Sequence, residues 1–108
     1  MENTLQMMLT DDLVYAALRE VMDPELGLNI VDLGLIYDVN IGQEGRIAIE
    51  MTLTTPGCPL HASFREEIER TLWRSFPDLQ GVSVALVWDP PWTPEMISPE
   101  GRAELGLF

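Results

Sequence analysis

The sequence has no lysine, one cysteine and one histidine in 108 residues. Without lysine there is no Schiff-base chemistry and no Walker-type phosphate lysine. A single cysteine cannot form an internal disulfide, which fits a reducing, cytoplasmic setting. Residues 1–9 contain no basic residue and no small-residue cleavage site, so no targeting peptide is expected. No apolar run approaches the roughly 20 residues that span a bilayer. Cations are scarce as well: six arginines face 18 carboxylates, for a net charge of −12. That balance repels nucleic acid and anionic membranes, and it favours a basic protein surface as partner.

What is present describes one domain. The apolar fraction is 46%, enough for a globular core, and the length leaves no room for a second large domain. Thr10 is a suitable N-cap, with Asp11 and Asp12 where the helix dipole favours negative charge. Leu13, Val14, Ala17, Leu18 and Val21 follow at helical spacing, and Pro24 marks the stop. Asp23-Pro24-Glu25-Leu26-Gly27 reads as a loop, continued from Asn29 to Gly34 by an extended segment.

Tyr37, Val39 and Ile41, then Ile47, Ile49, Met51 and Leu53, alternate with polar or small residues around a Gly42-Gln43-Glu44-Gly45 turn. This is a β-hairpin with one buried face. Pro59 suits a first helical position, which makes Cys58 the N-cap of a helix reaching Ser75. Leu60, Phe64, Ile68, Leu72 and Phe76 form its ridge. Val82, Val84, Leu86 and Trp88 give a third strand, parallel to the one before the helix because a crossover joins them. Asp89-Pro90-Pro91-Trp92-Thr93-Pro94 forces an extended loop, and short helical turns are expected at 95–98 and 99–105. The fold class is α+β: a two-layer helix–β-hairpin–helix–strand domain with a small mixed three-stranded sheet and a short helical C-terminal tail.

Cys58 is the residue with chemistry to assign. At a helix N-cap the unsatisfied N–H groups and the dipole favour thiolate, the form that binds metal or attacks an electrophile. The alternative is a small apolar residue filling space under a loop. His61 follows at a spacing that puts both on one side of a helical turn, half of a tetrahedral zinc site or simply a solvent-facing histidine. Asp23, Glu25 and Asp32 either line the cysteine pocket or satisfy local turn N–H groups. Thr54 and Thr55 either support Cys58 or cap the adjoining elements. Trp88 continues the apolar strand face, whereas Trp92 is a candidate for partner contact.

Four motifs stand in order: Asp23-Pro24-Glu25-Leu26; Ile30-Val31-Asp32-Leu33-Gly34-Leu35-Ile36-Tyr37; Met51-Thr52-Leu53-Thr54-Thr55-Pro56-Gly57-Cys58-Pro59; and Val87-Trp88-Asp89-Pro90-Pro91-Trp92-Thr93-Pro94. Together they resemble the small iron–sulfur assembly domain family that includes SufT, PaaD and the cytosolic iron–sulfur targeting factors. The tail Ile97-Ser98-Pro99-Glu100-Gly101-Arg102 is most similar to SufT-like members, and no extra metal-binding tail of the PaaD kind is evident. The resemblance covers residues 10 to 106, and the chain reads as a single domain over 1–108, with 1–9 a flexible lead and 89–108 a Pro-rich tail. The resemblance implies a maturation role as carrier, adaptor or targeting protein rather than as a free-standing enzyme. The family pocket maps onto Asp23, Glu25, Thr54, Thr55 and Cys58, and Asp32 and Trp92 also fall on motif positions. His61 is outside the pattern.

One cysteine cannot hold a cluster that normally takes four thiolates. Bound iron or an iron–sulfur cluster is therefore expected to be transient and shared between chains, in a homodimer or with assembly or client proteins. The competing expectations are a thiol-dependent oxidoreductase and a purely protein-binding module.

Overall fold

The computed structural model describes residues 9–24, 26–42, 45–54 and 61–106, of which 61–63 by backbone alone. Helix α1 (Asp11–Leu18) begins where the Thr10 hydroxyl accepts from the Leu13 N–H at 3.2 Å, with Asp11 and Asp12 in its first turn. Val14, Ala17 and Leu18 are buried, but Leu13 is 44% exposed, so the apolar stripe is narrower than the spacing suggests. The helix also stops short of Val21. That residue is fully buried, yet its carbonyl accepts from the Ile30 N–H instead of continuing helical bonding.

The chain turns there because it enters a small hairpin. Strand β1 (Met22–Asp23) pairs antiparallel with β2 (Leu28–Asn29), Met22 opposite Asn29 and Asp23 opposite Leu28. The segment expected to run extended from Asn29 to Gly34 is extended only at its start. Bonds from the Leu33 N–H to the Asn29 carbonyl and from the Gly34 N–H to the Val31 carbonyl fold it into turns.

Strands β3 (Ile36–Ile41), β4 (Arg46–Met51) and β5 (Gly81–Leu86) form the main sheet in the order β3-β4-β5. The β3–β4 pair is antiparallel and β4–β5 is parallel, as a helical crossover requires. In β4, Ile47, Ile49 and Met51 are buried and Arg46, Ala48 and Glu50 exposed, so one register puts every large apolar side chain on the helix-bearing face. The register shifts between Ile36 and Asp38, a bulge at Tyr37.

Helix α2 (His61–Ser75) lies on that face and buries Phe64, Ile68 and Leu72. It packs against α1 and β5, and α1 reaches β3. The Cys58 N-cap and Pro59 start expected for this helix lie outside the described residues. Strand β5 ends at Leu86 rather than at Trp88. Its partner β4 ends at Met51, whose carbonyl takes the Val87 N–H, and beyond it Trp88 is 40% exposed instead of continuing the buried face.

The tail forms a 3₁₀ turn (Pro94–Met96) and helix α3 (Pro99–Leu105). It joins the core through buried Ile97, with Trp92 and Leu105 partly buried against it. Among the described residues no helix is long and apolar enough to cross a membrane.

Candidate functional site

The residues flanking the β1–β2 hairpin are linked through Leu35, just before β3, to the residue that follows β4. A run of backbone bonds joins them. The Ile30 N–H donates to the Val21 carbonyl, the Leu35 N–H to the Ile30 carbonyl, and the Thr52 N–H to the Leu35 carbonyl, at 3.0, 3.1 and 2.9 Å. Asp23 thus stands two residues from one end of this run and Thr54 two residues from the other.

Asp23 is buried at the end of β1. Its Oδ1 accepts from the Leu26 N–H at 3.0 Å, and its carbonyl accepts from the Gly27 N–H at 2.8 Å. Gly27 takes φ +70°, the left-handed conformation that closes so tight a turn. The local role considered from sequence is therefore present. It accompanies a burial that is unusual for a carboxylate, since ionised groups stay in water unless hydrogen-bonded. Thr54 is half-buried just beyond β4. Glu25, Thr55 and Cys58 lie outside the described residues. His61 opens α2 by its backbone, and its side chain is outside them as well. Among the described residues no group of three His, Cys, Asp or Glu side chains gathers to hold a metal.

Asp32 sits elsewhere in the network. Its Oδ2 accepts from Asn29 Nδ2 at 2.7 Å, and its Oδ1 accepts from the Ser98 hydroxyl at 2.9 Å. Its backbone N–H donates to Asn29 Oδ1, and its carbonyl accepts from the Ser98 N–H. Ser98 in turn caps α3, its Oγ accepting from the Gly101 N–H at 3.0 Å. Asp32 therefore connects β2 to the tail. Trp92 is half-buried, and its indole N–H donates to the Leu33 carbonyl at 2.7 Å.

A second polar cluster lies where the tail crosses the bulge. The Tyr37 hydroxyl donates to the Pro90 carbonyl at 2.8 Å and lies 3.5 Å from the Met96 sulfur. Burial raises the Tyr37 pKa above its ordinary value, and the charge of Asp89 adds to this. The nearby Thr52 hydroxyl acts in the other direction by favouring the phenolate. Thr52 is fully buried, and its Oγ1 has no hydrogen bond of full geometry.

Asn29, Ser98, Tyr37 and Thr52 carry these networks and were not singled out from the sequence. For Ser98 a signal exists: a serine directly before Pro99 is an N-cap followed by a first-turn proline. Asn29 has one as well: its side-chain oxygen accepts from the backbone N–H three residues on, a local turn bond typical of asparagine, whereas Tyr37 and Thr52 act through tertiary neighbours and leave no local mark.

The profile of a family described as iron–sulfur cluster assembly protein matches residues 11–86. The chain is 42% identical over 94 residues to the Fe–S protein maturation auxiliary factor YitW of Bacillus subtilis, covering 87% of this chain and 91% of that one. It is 42% identical over 87 residues to the auxiliary factor SufT of Staphylococcus aureus, covering 81% and 98%. A crystal structure of a domain of unknown function from Bacillus anthracis superposes with a TM-score of 0.85 at 37% identity, covering 91% and 92%.

Proposed function

The chain belongs to the iron–sulfur cluster assembly protein family, and we propose that it is a cytoplasmic maturation factor for iron–sulfur proteins that acts as carrier, adaptor or targeting protein through Cys58. The observation that carries this reading is the likeness to two maturation auxiliary factors over more than four-fifths of the chain.

Cys58 is the sole thiol, and a cluster normally takes four. Iron or a cluster is cargo here, held transiently between Cys58 and ligands from a second chain, whether another copy or an assembly or client protein. Asp23, Glu25, Thr54 and Thr55 shape and polarise the pocket. Its acidic residues disfavour a second anion, so the pocket suits a cationic metal or a partner's neutral thiol. His61 is an additional ligand only if the second chain leaves a coordination position open. Trp92 spends its N–H inside the chain, so only its exposed part is left for a partner.

Anaerobic reconstitution of the wild type, Cys58→Ala and His61→Ala with iron and sulfide tests the reading, alongside complementation of a strain lacking the factor. Loss of cluster content and of client-enzyme activity in Cys58→Ala is expected. Equal cluster content with full complementation overturns a role for Cys58. Alkylation of Cys58 across pH separates the oxidoreductase alternative: a thiol titrating with an ordinary pKa of about 8.5 lacks the activation such catalysis needs.

A further inference from the structure

We propose that Asp32 is a positioning residue for Asp23, and that it works by latching the last helix of the chain behind the hairpin that carries Asp23. The proposal rests on the reading of Asp23 as a pocket residue for its functional meaning, but its structural content stands on separate contacts.

The hairpin cannot hold itself. Strands β1 and β2 have two residues each, far below what gives an isolated hairpin stability. Their geometry must come from what packs on them. Helix α3 does this: it contacts β2, and Gly101 is buried against Leu28, the residue paired with Asp23. A Cβ on Gly101 would stand 2.8 Å from Leu28 Cδ2, 3.0 Å from Ile97 Cγ2 and 3.2 Å from the Asp32 carbonyl oxygen. The α3 backbone therefore presses directly on the strand opposite Asp23.

Helix α3 cannot hold itself either. Seven residues is too short for a helix to persist in water without tertiary contacts. Its N-terminus is fixed by Ser98, and Ser98 is fixed by Asp32 through a side-chain bond and a backbone bond. The second carboxylate oxygen of Asp32 holds Asn29, the last residue of β2. One carboxylate thus clamps helix and strand together, and hydrogen bonds to a charged group are the stronger kind. With the clamp open, Leu28 loses its backing, and the turn that aims Asp23 loses its frame.

The turn offers a direct reporter. The Leu26 N–H donates to Asp23 Oδ1, and the Gly27 N–H to the Asp23 carbonyl. Amide hydrogen exchange at these two positions measures how firmly Asp23 is held. The Ile49 amide, in the central strand, measures the stability of the whole domain.

Exchange is compared in the wild type, Asp32→Asn, Ser98→Ala and Ser98→Thr. In Asp32→Asn and Ser98→Ala, protection at Leu26 and Gly27 is expected to fall about tenfold, the scale set by losing a hydrogen bond to a charged group. Ile49 should keep its protection, and Ser98→Thr, which retains the hydroxyl, should behave as wild type. Unchanged protection at Leu26 and Gly27 overturns the proposal. So does an equal loss at Ile49, which would mark general destabilisation. If the two amides respond as expected while Asp23→Asn supports full client maturation, the latch stands and the pocket role of Asp23 fails.

Discussion

The indole N–H of Trp92 donates to the backbone carbonyl of Leu33 at 2.7 Å, joining residues 59 positions apart. Leu33 is fully buried, so its carbonyl has no access to a substitute donor unless the tail lifts. Trp92→Phe keeps an aromatic ring and deletes the donor. The expected loss is about 1–3 kcal/mol, the cost of leaving a buried acceptor unpaired. A lower urea midpoint by circular dichroism, with unchanged slope, is the result to look for.

Gly34 and Gly27 make a matched pair. Both have positive φ, +82° and +70°, but a Cβ on Gly34 would run into the Met96 carbonyl, whereas one on Gly27 meets nothing within 4 Å. Gly27→Ala should cost about 1–2 kcal/mol, the penalty of the left-handed conformation alone. Gly34→Ala should cost at least about 1 kcal/mol more, because it must displace the backbone of the tail. Thermal unfolding of the two variants side by side measures the difference.

Both tyrosines of the chain have raised pKa values. Tyr15 is shifted by burial and then by the charges of Asp38 and Asp11, and Tyr37 by burial and then by Asp89. The folded state therefore holds the phenolic protons more tightly than the unfolded chain does. Their stabilising contribution is complete below the ordinary value of about 10 and is lost as pH rises through the higher folded values. Ultraviolet titration should show both midpoints above those of the denatured protein. Tyr37→Phe should lessen the alkaline loss of stability.

Thr52→Val removes a buried hydroxyl that lacks a hydrogen bond of full geometry. Stability should stay level or rise by up to about 1 kcal/mol. The same change removes the group that favours the Tyr37 phenolate, so the Tyr37 midpoint should move further up. A downward movement would contradict the arrangement.

Surface charge offers a contrast. Arg74 and Glu20 lie 3.4 Å apart with side chains 63% and 58% exposed. Glu20→Gln should change stability by no more than about 0.5 kcal/mol, because water and salt screen such a pair.

The helical ridge of Phe64, Ile68 and Leu72 and the alternation of Ile47, Ile49 and Met51 were legible in the sequence, because each repeats a simple period over several residues. The parallel placement of β5 was legible for the same reason: a helix between two strands leaves little topological choice. Strands β1 and β2 were not. Two residues carry no period, and Leu28 and Asp23 read as loop until Gly101 is seen behind them. The end of β5 was misjudged because a strand stops where its neighbour stops, and Trp88 looks like Leu86 in the sequence.

The sequence by itself determined the two-layer α+β fold, the single thiol and the threefold excess of carboxylates over cations. These follow from local periodicity and from counts of residue types. Only the tertiary structure decided that the Asp32 carboxylate holds the tail and that the Trp92 indole bonds back to the segment before β3. Ser98 reaches Asp32, and Trp92 reaches Leu33, because folding brings the tail against the segment after β2, whereas Asn29 meets Asp32 through local spacing. Most buried polar groups find a partner, and where that partner is distant in sequence it is fixed by chain path rather than by spacing.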